Sequence, residues 1–529
     1  HLDEGHAREV HADLPRATQA PPGRFAAERR RRAARQGVAF VAPPAPGLGV
    51  DAARRRRRHL AAVQFLVLFT LSQALLWWAY YGHGAKPLIG DEQTYQDTAL
   101  AILAGGAWMP STIWPPLQSL LLALIYVGAG PHVLAVQLLQ SVLFIGCAAL
   151  LRDLWRRLGG SVRAANTAAA LFLVNPASAA YAHWLWPEIP HLFLLLAALC
   201  LLARAPGLVR AGAAGACVGL AILAKSLLAG FWPAFLLVYL RRARPRIAWR
   251  PALAFLLALG LVTGPALLHG WRSHGTPTIA DSSVYNLWIG LTDRWRSDYV
   301  EDMGGATLPA FLASGASPAQ RNAVYLAKVR ARVAERGLAR VLAEQFGRQY
   351  FRLFSAKTPL VSQLPGAARA GHLSVYRTPP WLTRSLILAN DFFHALILAA
   401  AALGLACWRW RGARAGRAAA LPQDAASGAP SRAVLWLVVG LFFAYQLGLF
   451  LVLHVKARFL FPMLPFLCGF AGSFLAALAD RLGGPRSAAG GPPARLALTR
   501  PRLAAGALLG ALLLFLAFAG PALDRLGAG

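Results

Sequence analysis

The sequence has few charged residues, which make up 14% of it, against roughly 25% in soluble domains. Hydrophobic residues account for 57%. A chain of this composition cannot cover its own surface with polar side chains, so a soluble globular protein is excluded and lipid is the expected solvent. The sequence therefore predicts an integral membrane protein.

Cysteine is also scarce. The chain has five Cys, all in apolar stretches, with no CxxC pair and no His at ligand spacing. This pattern is typical of small buried side chains and argues against a disulfide framework or a zinc site. The histidines closest to the apolar segments, His183, His191 and His454, show no HExxH or other ligand spacing. We therefore expect no metal ligands among them.

Acidic residues are rare, and the net charge of +32 raises the question of nucleic acid. The 49 Arg are not gathered on one basic face; they separate apolar runs, as residues that flank membrane helices do. Nucleic acid is therefore not an expected partner, whereas a lipid bilayer is.

Long apolar runs fill the rest of the chain. A spanning helix needs about 20 mostly apolar residues. The sequence predicts about eleven such spans, near 60–81, 133–151, 166–184, 187–203, 211–225, 227–240, 251–270, 391–408, 433–453, 458–478 and 503–520. The fold class is thus an all-α polytopic membrane protein.

Charge in the loops predicts the orientation. Short loops on alternate sides carry most of the Arg, so the positive-inside rule places the N-terminus in the cytoplasm. No signal peptide is expected before Leu60, and the first span is an anchor. The predicted organisation begins with a disordered basic cytoplasmic tail (1–58) and an N-terminal membrane module (59–270), which contains the catalytic first outer loop (82–132). An extracytoplasmic loop domain (271–390) and a C-terminal membrane module (391–529) follow.

The two large outer loops are predicted to contain helices. Residues 115–130 hold an apolar run half the length of a span, which indicates an interfacial or re-entrant helix. Ser317-Pro318-Ala319-Gln320 has the form of a capping box. After Gly337, apolar residues recur at helical spacing among Arg, which predicts an amphipathic helix. That helix could lie on the headgroups or form the lid of a site.

Ionisable side chains beside the apolar segments are candidates for function, because burying them in lipid costs several kcal/mol. Nearly all of them fall on the predicted outer side. Asp91 and Glu92 open a predicted helix over 92–104. Asp91 is predicted to be the N-cap of that helix, a carboxylate base at the membrane surface, or both, since a capping carboxylate is fixed in orientation.

Several motifs along the chain resemble one family. They are Gly90-Asp91-Glu92-x-x-Tyr95, Trp114-Pro115-Pro116-Leu117, Pro187-Glu188-x-Pro190, Gly219-Leu220-Ala221-x-Leu223-Ala224-Lys225, Asn286-Leu287-Trp288-Ile289-Gly290 and Arg458-Phe459-x-x-Pro462-x-x-Pro465. In this order, they resemble the GT-C membrane glycosyltransferases, which include protein O-mannosyltransferases and aminoarabinose transferases. The resemblance runs from residue 90 to residue 465.

The resemblance implies a chemistry. Members of this family take the sugar from a polyprenyl-phosphate donor at the outer membrane surface, and a first-loop Asp acts as base while the anomeric configuration inverts. Asp91 would be that base and Glu92 would help to position acceptor or sugar. Some members use a divalent ion held by first-loop carboxylates, so a divalent metal stays open while no metal ligand is assigned. The expected location is the inner (plasma) membrane of the cell envelope.

The other candidate residues each have a simpler alternative. Lys225, Lys456 and Arg458 are expected to bind the lipid phosphate, since a growing negative charge needs cations, or they are membrane-edge anchors. Tyr95 binds substrate or belongs to an interfacial aromatic belt. Glu188 binds substrate or caps a helix, and Asn286 is a further substrate-binding candidate from its motif.

No motif in the sequence indicates one particular acceptor. The sequence ends at Gly529, just after the last predicted span, so we expect no C-terminal soluble domain of the kind that several family members carry. A glycan, a lipid or a protein acceptor all stay open. Two other functions also stay open: a transporter or flippase of a lipid-linked or anionic substrate, and an inactive GT-C-like assembly partner.

Overall fold

The structure is a computed structural model in which residues 63–64, 67, 69–71, 73–74, 88, 90–110, 113–205, 207–240, 248–292, 301–356, 380–409, 430–482 and 496–519 are described. The chain divides into two units, 1–64 and 65–529, and everything below concerns the second. Its described residues form helices and no strand, apart from one isolated bridge between Trp408 and Leu496. The predicted all-α class is confirmed.

The helices of the N-terminal half are α1 (Asp91–Leu103), α2 (Leu117–Ala129), α3 (Val133–Leu158), α4 (Val162–Val174), α5 (Pro176–Ala180), α6 (Glu188–Leu202), α7 (Leu208–Ala224) and α8 (Trp249–His274). A 3₁₀ turn, Tyr181–His183, follows α5. α1 and α2 belong to the first outer loop predicted from the sequence. α2 has 13 residues, or about 20 Å at 1.5 Å per residue, which is shorter than a span.

The remaining helices are α9 (Ser282–Thr292), α10 (Glu301–Ala313), α11 (Pro318–Arg336), α12 (Leu338–Arg348), α13 (Pro380–Cys407), α14 (Arg432–Leu449), α15 (Leu464–Leu482) and α16 (Arg500–Leu514). Short 3₁₀ segments cover Tyr350–Phe354 and Ala457–Met463. A π-helical turn, Phe515–Ala519, extends α16.

Six of the described helices are long and apolar enough to cross a membrane: α3, α8, α13, α14, α15 and α16 with its π-helical turn. A seventh crossing is available if the pair Pro176–His183 and Glu188–Leu202, bent by 111°, counts as one span. α4 and α7 are apolar but shorter. The chain is a multi-pass membrane protein, and the predicted count of eleven spans is not confirmed.

Two predicted spans account for part of this difference. Residues 227–240 fold into short turns, Ser226–Leu228, Trp232–Phe235 and Leu237–Leu240, and not into one helix. Pro233 and Gly230 interrupt the run, since proline lacks the backbone donor that a helix needs. The span at 60–81 lies largely outside the described residues.

Among the described residues, the largest hydrophobic cluster extends along α3, and its two ends differ. Near the start of α3, Gln137 donates to the carbonyl of His183 (3.0 Å) at the break between α5 and α6. Near its end, the Trp155 ring packs against Trp408 and Phe470, with centroids 5.6 and 5.1 Å apart. Eighteen residues separate Gln137 from Trp155, or about 27 Å of helix, close to the thickness of a hydrocarbon core.

The predicted outer loop domain is helical where it is described. Ser317 caps α11 and Gln320 bonds back to it, so the predicted capping box is confirmed. α12 is the predicted amphipathic helix. On its inner face, Gln345 donates to the carbonyl of Leu453 (2.8 Å); on its outer face, Leu338 and Phe346 are exposed. The choice between headgroup contact and lid stays a prediction.

A close approach between α7 and α8 yields a stability test. A Cβ at Gly215 would collide with the carbonyl oxygen of Phe255, whereas a Cβ at Gly260 of α8 would meet nothing within 4 Å. We expect Gly215→Val to destabilise the protein by about 1–3 kcal/mol, because overpacking forces the backbones apart. Thermal unfolding in detergent should show the loss for Gly215→Val and not for the control Gly260→Val. Equal midpoints would contradict this account of the packing.

Candidate functional site

Four charged side chains from four separate segments meet at the N-terminal end of α3, beside the bend between α5 and α6. Arg458 donates from Nη2 to Oδ2 of Asp91 at 3.0 Å. Lys225 donates from Nζ to Oε1 of Glu188 at 2.9 Å. The Nε of Arg458 lies 4.0 Å from the same oxygen of Glu188. We call Asp91, Glu188, Lys225 and Arg458 the charged cluster.

Asp91 enters the cluster because of the glycine before it. Gly90 has a φ of 58° and is the N-cap of α1, which makes Asp91 the first helical residue. Glycine adopts this left-handed conformation without steric cost. No side chain caps α1, so the alternative that Asp91 is the N-cap is wrong. Its carboxylate points to Arg458 instead.

Glu188 and Lys225 face each other because α6 and α7 are held in register. α6 starts at Glu188 and α7 ends just before Lys225. One turn further into the bundle, Nδ1 of His191 lies 2.9 Å from the carbonyl oxygen of Ala221. An acid at a helix N-terminus and a base at a helix C-terminus both suit the helix dipole. The Lys225 side chain is 12% exposed and bonded to Glu188, so it does not extend toward water as an anchor does.

Arg458 lies on the 3₁₀ segment Ala457–Met463 and rests on aromatic rings. Its guanidinium carbon is 4.7 Å from the centroid of Trp186 and 5.8 Å from that of Phe459. The Nζ of Lys225 is 5.4 Å from the centroid of the same Phe459 ring. Ring faces attract cations, most strongly where water is excluded. Both cations are therefore held by aromatic faces as well as by carboxylates.

The cations outweigh burial in setting the charge of Asp91. Burial alone would raise its pKa, but Arg458, Lys456 and Lys225 together lower the pKa below its ordinary value. Asp91 is thus ionised at neutral pH. Burial, with the negative charge of Asp91, raises the pKa of Tyr95 well above its usual value. Tyr95 therefore remains a neutral hydroxyl beside the cluster.

Glu92 has a different place from its neighbour. Its side chain is fully buried, and its Oε1 accepts a hydrogen bond from the backbone N–H of Leu185 at 2.9 Å. Leu185 lies in the bend between α5 and α6, where no helix provides a partner for that N–H. The contact ties α1 to the bend, and a role of Glu92 in positioning substrate stays a prediction.

Asn286 and Lys456 lie on the border of the cluster. The carbonyl oxygen of Asn286 accepts from the backbone N–H of His454 at 2.9 Å, and its side chain donates to the carbonyl of Ser282 at 2.8 Å. This joins α9 to the segment that leads to Arg458. Lys456 is half-buried and acts on Asp91 through its charge. Burial, with Lys456 and Arg458, lowers the pKa of His454 well below its usual value, so this ring is neutral.

Metal ligands do not converge here. In the part of the chain that the structure describes, no three His, Cys, Asp or Glu side chains are grouped as a metal ion would need.

Sequence reasoning did not identify the neutral residues that build the site. The rings of Trp186 and Phe459 pack against the cations. Amide side chains donate hydrogen bonds to backbone carbonyls of the bend, Gln118 to that of Leu185 (3.1 Å) and Gln140 to that of Trp184 (2.6 Å). A signal was present, since an amide inside an apolar helix needs a partner.

Comparisons with known proteins found similar chains among solved structures. No family model matches the sequence, and no curated protein does. The structure is similar to ArnT from Cupriavidus metallidurans bound to undecaprenyl phosphate, with 17% identity, a TM-score of 0.33, and 79% of this chain and 78% of that chain covered. It is also similar to the same ArnT in the apo state, with 17% identity, a TM-score of 0.34, and 80% of this chain and 78% of that chain covered. A third similar structure is the oligosaccharyltransferase from Archaeoglobus fulgidus in the apo form, with 14% identity, a TM-score of 0.42, and 86% of this chain and 55% of that chain covered.

These solved proteins are membrane glycosyltransferases of the GT-C superfamily, the family that the sequence motifs resemble. With TM-scores below 0.5, the likeness carries no information on individual residues. The assignment of roles below rests on the geometry of the charged cluster.

The buried pair gives a prediction on stability. We expect Glu188→Gln and Lys225→Met each to cost about 3 kcal/mol, because each leaves a buried charge without its partner. The double variant should lose less than the sum of the two, since it removes both charges. Unfolding midpoints in detergent measure this coupling.

An exposed pair at the other end of α3 is the control. Asp153 and Arg157 are bonded at 2.9 Å with side chains 37% and 31% exposed, so Asp153→Asn and Arg157→Met should each cost about 1 kcal/mol or less. Additive losses at Glu188 and Lys225 would show that the two charges are not coupled.

Proposed function

We propose that this protein is a membrane glycosyltransferase that moves a sugar from a polyprenyl-phosphate donor to an acceptor. The observation that carries the proposal is the charged cluster, in which the candidate base Asp91 is bonded to Arg458 and Lys225 is bonded to Glu188, beside membrane-spanning helices. A reaction of this kind needs both: a base for the acceptor and cations for the phosphate that leaves.

The charge balance of the cluster together with its neighbour Lys456 suits a lipid phosphate. Lys225, Arg458 and Lys456 provide three positive charges against the two carboxylates of Asp91 and Glu188. One net positive charge matches the single negative charge of a phosphodiester donor. As the sugar departs, the phosphate gains a second negative charge, which cations in a water-poor site stabilise strongly. The cluster therefore favours the leaving group over the donor.

Donor binding also prepares the base. Arg458 holds Asp91 in the structure, and a phosphate bound to the same guanidinium competes with that contact. Once Arg458 turns to the phosphate, Asp91 loses the partner that lowers its pKa most and becomes a stronger base. Donor and base are thus coupled through one side chain.

The reaction then proceeds by displacement. The acceptor hydroxyl or amine gives its proton to Asp91 and attacks the anomeric carbon. The bond between that carbon and the phosphate oxygen breaks, and the polyprenyl phosphate leaves with the electron pair. Attack opposite the leaving group inverts the configuration. Tyr95, neutral and next to Asp91, donates a hydrogen bond to the substrate.

The extracytoplasmic face is the proposed location of this chemistry. The Arg-rich ends of the helices, which the positive-inside rule assigns to the cytoplasm, lie at the end of α3 opposite the cluster. About 27 Å of helix, the length of α3 between Gln137 and Trp155, separates the cluster end of the bundle from the Arg-rich end. The membrane is then the inner (plasma) membrane, and the acceptor is a glycan, lipid or protein of the cell envelope.

The role of Asp91 can be tested with a partner residue on the same helix. Asp91→Asn should abolish transfer of labelled sugar from polyprenyl-phosphate donors in membranes, because an amide cannot take the proton. Asp97→Asn is the matched control, since Asp97 is exposed on α1 and bonded to Gln93 at 2.7 Å. We expect that control to keep its activity and both variants to insert normally. Near-normal turnover by Asp91→Asn would remove Asp91 as the base.

The role of the cations can be tested by binding alone. Lys225→Met and Arg458→Met should each weaken binding of undecaprenyl phosphate about tenfold or more, as expected for loss of a charge-assisted hydrogen bond. Arg340→Met, at a guanidinium that is 72% exposed, should leave binding unchanged. Calorimetry in nanodiscs measures all three. Unchanged affinity in Lys225→Met and Arg458→Met would exclude the cluster as the phosphate site.

A transporter is the second candidate, because the 111° bend between α5 and α6 is the kind of discontinuous helix that transporters use at substrate sites. Purified protein in liposomes separates the two functions. A transporter moves lipid-linked substrate across the bilayer unchanged, whereas the proposed enzyme converts it. Binding of undecaprenyl phosphate without transfer or movement would instead indicate an inactive assembly partner.

A further inference from the structure

The exposed surface of α12 has an apolar side and a charged side. Val341 and Gln345 are buried and face the neighbouring helices. At 3.6 residues per turn, four exposed residues lie within about 140° of arc, and the exposed Arg340 lies outside that arc. We call these four residues the apolar side of α12: Leu338, Ala339, Ala343 and Phe346.

The level of α12 in the molecule is fixed at the end of α14. Gln345 donates to the carbonyl of Leu453 (2.8 Å), and the hydroxyl of Tyr350, just after α12, donates to that of Leu447 (3.2 Å). α14 is a candidate span of 18 residues that ends at Leu449. Its length of about 27 Å nearly equals the thickness of a hydrocarbon core. The end of α12 therefore lies at the level where the hydrocarbon of the bilayer stops.

An aromatic row joins the apolar side of α12 to the membrane-spanning helices. Phe346 stacks on Tyr350 with centroids 5.1 Å apart, and Tyr350 lies 6.3 Å from Phe354. The carbonyl oxygen of Phe354 lies 2.7 Å from Nε2 of His394 in the span α13. Tyrosine is typical of the boundary between lipid and water. The apolar side of α12 is thus continuous with the part of the protein that lipid surrounds.

The contacts of α12 do not suit a lid. Besides the bonds at the end of α14, Gln349 donates to the carbonyl of Gly290 in α9 at 2.9 Å. Val341 packs with Leu291 of α9 and Val329 of α11 in a small buried cluster. A lid opens and closes around its site, and each opening would break all these contacts. They fit a helix that stays in place, with an exposed apolar side that marks an interaction surface.

We propose that α12 is a docking surface for the bilayer at the end of α14. Its apolar side reaches the boundary between headgroups and acyl chains, and Arg340 stays at the level of the headgroups and water. Lipid is the occupant because this side continues onto spans that lipid already covers. Arg458 follows Leu453 by five residues. The docked helix, bonded to Leu453, therefore also fixes the height of the segment that carries Arg458.

A spin-label scan of the full chain tests the proposal in nanodiscs of phosphatidylethanolamine and phosphatidylglycerol. Collision of each label with oxygen, which concentrates in hydrocarbon, is compared with collision with a water-soluble nickel chelate. The wild type, taken through the same labelling, gives the background of the five native Cys. The labelled variants are Leu338→Cys, Ala339→Cys, Arg340→Cys, Ala343→Cys, Phe346→Cys and Gly347→Cys.

We expect the collisions to vary with the period of the helix. Labels at Ala339 and Phe346 should favour oxygen and lie about 5–10 Å inside the headgroup boundary. Labels at Arg340 and Gly347, one residue further along, should favour the nickel chelate and are the matched controls. Leu261→Cys, at a side chain that is 78% exposed on the span α8, marks the lipid environment.

Each adjacent pair is a complete test. Ala339 with Arg340, and Phe346 with Gly347, give independent comparisons, so one pair suffices if a variant of the other pair fails to fold. Unfolding midpoints equal to that of the wild type identify the variants that fold.

Three results would overturn the proposal. Equal access of the nickel chelate to all six labels would place the apolar side in water. Exclusion of both reagents at Ala339 and Phe346 would show that protein covers them, as in a dimer of this chain. A lipid-like profile that appears only after undecaprenyl phosphate is added would identify a lid. None of these results bears on the proposed function, which is tested by the binding of undecaprenyl phosphate to Lys225→Met and Arg458→Met.

Discussion

The bend between α5 and α6 is the constraint on which the rest of the site depends. Backbone groups that leave a helix inside an apolar bundle must find partners within the protein, because lipid offers none. Here Glu92 accepts from the N–H of Leu185, while Gln118, Gln137 and Gln140 donate to carbonyls of the bend. These bonds fix α1, α2 and α3 around one non-helical turn.

The charged cluster follows from that arrangement. With the bend held, α6 can begin at Glu188 and direct its carboxylate toward the end of α7, where Lys225 stands. The same bend presents Trp186 as the surface on which Arg458 rests, and α1, tied to the bend by Glu92, brings Asp91 to that guanidinium. Each carboxylate of the cluster has a cation as its partner, which offsets much of the cost of removing these charges from water at the membrane edge.

Most residues of the charged cluster could be predicted from their residue types, but the ion pairs that they form could not. Asp91, Glu188, Lys225 and Arg458 stand out in the sequence because charge beside an apolar run is expensive, but nothing in a linear pattern joins Asp91 to Arg458 across 367 positions. The N-cap interpretation of Asp91 was wrong because the left-handed conformation of Gly90 shifts the helix start by one residue. Hydropathy also treats 227–240 as a span, although its proline and glycine divide it into turns.

The partners of Arg458 and Lys225 also bear on which lipids the protein accepts. Two cations at the edge of a bilayer would ordinarily collect any phospholipid headgroup that drifts past. Here each cation already has a carboxylate beside it, so a passing headgroup must outcompete an anion that is held in place and needs no ordering. Under the proposed function, discrimination between a rare polyprenyl lipid and the abundant phospholipids around it is therefore a competition against the protein's own anions.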